Sequence, residues 1–196
     1  NRALAGTYSP GSTFKIIMAA AALQEGALEP GEKIFCGGKA FYYGQPRHCH
    51  RRWGHGRIGL EESLERSCNI FFYTIGQRLG IEKIEYWARR FGLGRSTEAG
   101  LGTELAGLVP SDEWKRRTQG EPWYPGETIS VAIGQGPLHI TPMQMAVQAA
   151  VIANGGNLVH PHFVDRVGSL QLPEPTGLDP AVVERVRKAL VAVVHG

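Results

Sequence analysis

The first sustained hydrophobic signal follows the turn residues Tyr8-Ser9-Pro10-Gly11: across 14–23 every position except Lys15 is apolar, until Gly26 ends the run. A segment apolar on all sides predicts a buried central helix. Residues 30–58, rich in Gly, aromatic, His and Cys residues, carry neither helical nor strand periodicity and predict an irregular loop region. A short helix is expected over 61–65. A second follows Asn69, with Phe71, Ile75 and Leu79 at four-residue spacing and Gly80 as its stop. Ile81, Ile84, Trp87 or Ala88, and Phe91 line a third, ended by Gly92-Leu93-Gly94. The Gly/Pro-rich stretch 101–136 predicts loops with a short strand at 128–133. Thr141-Pro142 then starts a helix over 143–153, stopped by Gly155-Gly156. A strand over 159–167 and a final helix from Asp179-Pro180, apolar at Val183, Val186, Leu190 and Val194, complete the pattern.

Composition narrows the class. The chain has 196 residues, 42% of them hydrophobic, which suits one domain with a sizeable core. Its 21 Lys and Arg against 18 Asp and Glu give +3, without a run of like charge, so nucleic acid is excluded as a partner. The longest apolar run is half of the roughly 20 residues a helix needs to cross a bilayer. Both ends, at Asn1 and at Val194-His195-Gly196 within a helical pattern, read as cuts in a longer protein.

Candidate chemistry begins at Ser12-Thr13-Phe14-Lys15. Serine needs a base within hydrogen-bond reach to act as a nucleophile, and residues three apart share one helix face. A lysine inside so apolar a helix loses its proton more readily, because burial disfavours the charged form. The unpaired N–H groups of the helix start suit a developing oxyanion. A bland reading competes: Ser12 as an N-cap and Lys15 snorkelling to solvent. Ser67-Cys68-Asn69, at a junction between predicted helices, is the second feature of interest.

Pro10-Gly11-Ser12-Thr13-Phe14-Lys15 followed by Ser67-Cys68-Asn69 resembles the penicillin-binding protein transpeptidases, whose motifs are Ser-x-x-Lys, Ser-x-Asn and Lys-Thr-Gly. The likeness extends to Asn1-Arg2-Ala3, Trp53-Gly54-His55-Gly56, Gly134-Gln135-Gly136 and Thr141-Pro142-x-Gln144-Met145, and so covers essentially the whole chain. Within the family it is most similar to the class B, elongation-type branch, penicillin-binding protein 2. The resemblance implies an α/β (α+β) fold, shared with serine β-lactamases, in which a helical subdomain packs beside a mainly antiparallel sheet. Residues 1–196 would be a partial transpeptidase domain, because none of the lysines at 15, 33, 39, 83, 115 and 188 is followed by Thr-Gly or Ser-Gly. The missing third motif lies in this family beyond the segment where the chain stops, and supplies one wall of the site.

The resemblance assigns Ser12 as nucleophile and Lys15 as base. Ser67 would relay a proton to the leaving amine, and Asn69 would bind the substrate amide and steady Lys15. The implied reaction is D,D-transpeptidation of peptidoglycan stem peptides through a serine acyl-enzyme, with β-lactams acylating the same serine and no organic cofactor. Implied partners are a membrane glycosyltransferase and elongation-complex proteins, with an upstream membrane anchor holding the domain on the periplasmic face of the bacterial inner membrane. Two other readings stay open: a serine β-lactamase or β-lactam sensor, and a catalytically idle, zinc-ordered interaction module.

The three cysteines, at 36, 49 and 68, are an odd number for a domain working outside the cytoplasm. Cys36, Cys49, His55 and Cys68 offer the donor set of a closed structural zinc site, and Cys68 lies inside the second motif. Zinc there would tie the 30–58 region to the junction presenting Ser67 and Asn69; some elongation-type members look similar, with mixed Asp, His and Cys ligands. His48 or His50 is an alternative to His55. A Cys36–Cys49 disulfide, leaving Cys68 as a small buried hydrophobe, is the competing reading. Trp114, Trp123 and Tyr124 are candidates to line a substrate groove.

Overall fold

The computed structural model describes residues 1–163 and 172–195. Helix α1 (Arg2–Ala5) precedes a 3-10 turn at Gly11–Phe14, which runs directly into α2 (Lys15–Gln24). As the apolar run predicts, α2 is central: Ile17, Met18 and Ala19 to Ala22 are all buried. It packs against α4 (Asn69–Arg90) and the final helix, α8 (Pro180–His195), while the short α3 (Leu60–Glu65) lies against α8.

Helix α4 is the pair of predicted helices joined end to end. Gly80 breaks it with φ 72° and ψ 168°, a conformation that suits glycine and marks the predicted stop. Phe71, Phe72 and Ile75 on its first half are fully buried. That half also meets α6 (Pro125–Val131) closely: a Cβ on Gly76 would lie 2.4 Å from the Ala132 Cβ.

The 30–58 region departs from expectation. It holds two antiparallel ribbons, β1 (Ile34–Cys36) with β4 (Gly56–Ile58), and β2 (Lys39–Tyr42) with β3 (Gln45–His48). Each strand spans three or four residues, too few to display a period. The β2–β3 turn uses Tyr43 at φ 49° and Gly44 at φ 75°, the two positive values of a type I′ hairpin. The third ribbon, β5 (Asn157–Leu158) with β6 (Glu174–Pro175), is shorter still. All pairing among the described residues is thus antiparallel, in two-stranded pieces beside a helical body.

Three further expectations change. The short strand predicted over 128–133 is the end of α6: Pro125 at its first turn and Glu127 bonding back to the Tyr124 N–H at 2.9 Å start a helix that β-branched residues only weakly oppose. Helix α5 (Asp112–Gln119), absent from the prediction, is capped by Ser111, which accepts the Trp114 N–H at 3.0 Å. The strand expected over 159–167 lies partly outside the described residues, and its described part, 159–163, is not strand. Helix α7 (Pro142–Ala153) begins as predicted with a Thr141/Gln144 capping box. Among the described residues no helix is long and apolar enough to cross a membrane.

Candidate active site

Ser12 occupies the 3-10 turn that opens α2 and is exposed, whereas Lys15, one turn on, is 1% exposed. The two do not bond directly among the described residues. Instead Ser67 stands between them: its Oγ is 2.8 Å from Ser12 Oγ and accepts from Lys15 Nζ at 2.9 Å. Lys15 Nζ also donates to the Ser67 carbonyl and to Asn69 Oδ1, both at 2.8 Å. All three ammonium donors are thereby used, and the Phe72 ring lies 5.5 Å below the nitrogen. Burial lowers the Lys15 pKa to about 8, against the opposing pull of Cys68 and Cys49.

The turn that presents Ser67 is a Schellman motif closing α3. The Cys68 N–H bonds to the Ser63 carbonyl at 2.9 Å and the Ser67 N–H to the Leu64 carbonyl at 3.1 Å. Ser67 takes the left-handed position, φ 49°, where glycine is usual. A serine there gives Lys15 two acceptors from one residue, carbonyl and hydroxyl. Non-glycine residues in this region cluster at functional sites.

The nucleophile turn is braced from the far side. Gly11 donates its N–H to the Gly134 carbonyl at 2.9 Å, and a Cβ on Gly134 would stand 2.1 Å from the Gly11 carbonyl oxygen. Gly134-Gln135-Gly136 is therefore a tight turn beside the site. Gln148 on α7 adds a bond from Nε2 to the Thr13 carbonyl at 3.2 Å. Neither contact has a local sequence signal, since the partners lie more than a hundred residues apart.

Behind Ser67 and Asn69 lie the four predicted metal donors. One ligand atom from each of Cys36, Cys49, His55 and Cys68 falls in a cluster whose members all lie within 4.8 Å of one another. Cys36 Sγ and Cys49 Sγ stand 3.6 and 3.5 Å from His55 Nδ1, and Cys49 Sγ 3.9 Å from Cys68 Sγ. A tetrahedral zinc with ordinary bond lengths would hold sulfurs about 3.8 Å apart and sulfur and nitrogen about 3.6 Å apart. The donor set and its spacing fit such an ion. The three cysteines are free, so the competing Cys36–Cys49 disulfide is not formed. His48 is exposed on β3 and outside the cluster; His50 Nδ1 reaches Cys49 Sγ at 3.8 Å but among the described residues completes no set of four.

Backbone geometry assembles these donors. A Cβ on Gly54 would sit 2.0 Å from the Cys36 carbonyl oxygen, and one on Gly38 2.0 Å from that of Arg52. Only glycines let the two loops interlock, bringing the His55 N–H to the Cys36 carbonyl at 3.0 Å and the Cys49 N–H to that of Gly38 at 2.9 Å. Burial pushes the Cys49 thiol up, yet hydrogen bonds from the Arg51, Asn69 and Ile70 backbone outweigh it and bring the thiol below its ordinary value. Burial raises Cys68, and the neighbouring Cys36 and Cys49 add to it, against a hydrogen bond from the Phe71 backbone. Burial, with His50 and nearby cations, lowers His55 and favours the neutral ring that binds metals.

The groove aromatics divide. Tyr124 faces a groove against the β2–β3 hairpin; Trp123 bonds Thr128 Oγ1 at 2.9 Å and packs on the core, and Trp114 lines a separate cavity with Arg89 and Val109.

Residues 1–196 match the family model described as the penicillin binding protein transpeptidase domain. The chain belongs to that family. The peptidoglycan D,D-transpeptidase MrdA of Acinetobacter baumannii is 40% identical over 167 residues, covering 84% of this chain and 25% of that protein. The crystal structure of Pseudomonas aeruginosa PBP2 in complex with WCK 5153 superposes with a TM-score of 0.94 at 37% identity, over 100% of this chain and 46% of that one. PBP2 from Helicobacter pylori, in its complex with MreC, gives 0.88 at 27% identity, over 98% of this chain and 35% of that one. The chain thus spans about a quarter of the length of the curated relatives it matches. The fold is that of the transpeptidase domain.

Proposed function

We propose that the protein containing this chain is a peptidoglycan D,D-transpeptidase and that Ser12, Lys15, Ser67 and Asn69 carry its acyl transfer. The observation that supports this most is the continuous path Ser12–Ser67–Lys15, with links of 2.8 and 2.9 Å and a lysine pKa brought to about 8. Ser12 Oγ attacks the carbonyl between the last two D-alanines of a stem peptide. Its proton passes through Ser67 to neutral Lys15, and returns by the same path to the amine of the departing D-alanine. An amine of a second stem then attacks the ester, releases Ser12 and forms the crosslink. Asn69 holds Lys15 on Ser67 and offers its amide N–H groups to the substrate backbone.

A β-lactam would acylate the same serine. The hydrogen bonds of Ser12 and Lys15 among the described residues include no carboxylate, which favours a long-lived adduct over β-lactamase turnover. We assign zinc to Cys36, Cys49, His55 and Cys68, where it would fix the backbone on either side of Cys68 without touching substrate. The substrate lies outside the cytoplasmic membrane, so the domain would work on the periplasmic face of the inner membrane. Elongation-complex proteins and a membrane glycosyltransferase are its proposed partners; the MreC complex of the Helicobacter pylori relative supports the first.

The test is release of D-alanine from a pentapeptide stem by the full-length protein. Release that stops on Ser12→Ala supports the assignment. Release that persists overturns it.

A further inference from the structure

A groove of about 390 Å³ runs between the β2–β3 hairpin and α6 and ends on the turn that braces the nucleophile. Tyr43 and Arg47 form its hairpin wall, Tyr124 and Ser130 its helical wall, and Gly136 its floor towards the site. Gly136 lies two residues from Gly134, whose carbonyl accepts the Gly11 N–H next to Ser12.

Arg47 is the unexplained residue here. Its Nε is shut off from water and has no hydrogen-bond partner, and among the described residues no carboxylate pairs with its guanidinium. Buried donors without partners are rare enough that each asks for an explanation. The groove's own carboxylate does not supply one: Glu127 Oε2 is held by Lys115 Nζ at 2.7 Å and the Tyr124 N–H at 2.9 Å. Charge around the hairpin is one-sided as well. From 33 through 60 the sequence holds six Lys and Arg residues and no Asp or Glu.

The hairpin is rigid where it faces the groove. Tyr42 anchors it to α4, donating to the Ile70 carbonyl at 3.0 Å and lying 2.8 Å from Thr74 Oγ1. Tyr43, a bulky residue in the left-handed region, is 48% exposed at the tip, opposite Tyr124 at 51%. Two exposed rings flanking an unpaired guanidinium make a wall suited to an extended peptide that carries a carboxylate.

We infer that this groove binds the donor stem peptide and that Arg47 recognises one of its internal carboxylates, one other than the carboxyl group of the terminal residue. The carboxylate pairs with the terminal Nη groups of Arg47, which unlike Nε are not shut off from water. Specificity for an acidic stem would then come from this chain's own hairpin, away from Ser12. The inference rests on the transpeptidase reading above.

The experiment compares D-alanine release by the full-length protein from two pentapeptide stems, one with free internal carboxylates and one with them amidated. The wild type is expected to prefer the free acid by about 10- to 100-fold in kcat/KM, the range of a charge-assisted hydrogen bond. Arg47→Gln should bring the preference close to one, and Arg47→Lys should restore part of it. Labelling of Ser12 by a fluorescent penicillin reports the fold and the nucleophile separately. Loss of labelling in the wild type would sink the transpeptidase reading; normal labelling with an unchanged preference in Arg47→Gln, or no preference in the wild type, overturns the Arg47 assignment alone. A third variant, Tyr43→Gly, keeps the positive φ of the turn and should raise KM for both peptides. If it leaves both KM values unchanged, the groove does not hold the stem.

Discussion

Lys15 meets Ser67 twice, donating from Nζ to the hydroxyl at 2.9 Å and to the main-chain carbonyl at 2.8 Å. The hydroxyl link can carry a proton; the carbonyl link can only hold the amine in place. Separating them is the first prediction. Ser67→Gly keeps the left-handed turn and the carbonyl but removes the hydroxyl, so Tm should stay within about 4 °C while penicillin acylation falls roughly 10²-fold or more. Thermal unfolding and stopped-flow acylation measure the two effects. A parallel loss of both would mean that Ser67 acts only as structure.

Lys15 itself should be irreplaceable. Lys15→Met removes the base, and the acylation rate constant should drop by about 10³-fold or more. Lys15→Arg should fail nearly as badly, because a guanidinium does not give up its proton near neutrality.

The pH dependence follows from the same residue. Burial brings the Lys15 ammonium to about 8; below that value the amine is protonated and cannot accept the Ser12 proton. Acylation should therefore rise about tenfold per pH unit up to about pH 8 and level off above it. An acylation profile taken from pH 6 to pH 10 measures this. A rate falling through pH 8 contradicts lysine as the base.

How much of this was legible in the sequence depended on range. The central helix, the Gly80 stop and the Thr141-Pro142 start are local signals, and each appears where its residues predict. Helix α5 was hidden by low apolarity, because it buries only Lys115 and so has no hydrophobic stripe to read. The ribbons of 30–58 were hidden by brevity. The four candidate metal donors were readable as residue types; their meeting depends on the interlock of Gly38 and Gly54, which no spacing rule encodes. The relay order was also out of reach. Residues three apart suggest direct contact between Ser12 and Lys15, whereas the Schellman turn inserts Ser67 between them.

That interlock yields a prediction on metal content. Gly54→Ala places a Cβ against the Cys36 carbonyl oxygen at a backbone conformation, φ 75°, that alanine tolerates poorly. Zinc content should fall well below one per chain, with Tm lower by about 5 °C or more. Cys49→Ser should do the same. Elemental analysis and X-ray absorption check the site directly, with metal–sulfur distances near 2.3 Å expected in the wild type.

The central claim, that Ser12 is the acylated nucleophile, is tested most directly by mass spectrometry of the full-length protein after exposure to a penicillin. The account predicts one penicilloyl group per chain, mapped to the peptide containing Ser12, stable for many minutes and absent from Ser12→Ala. An adduct that survives in Ser12→Ala, or maps to another residue, would contradict it.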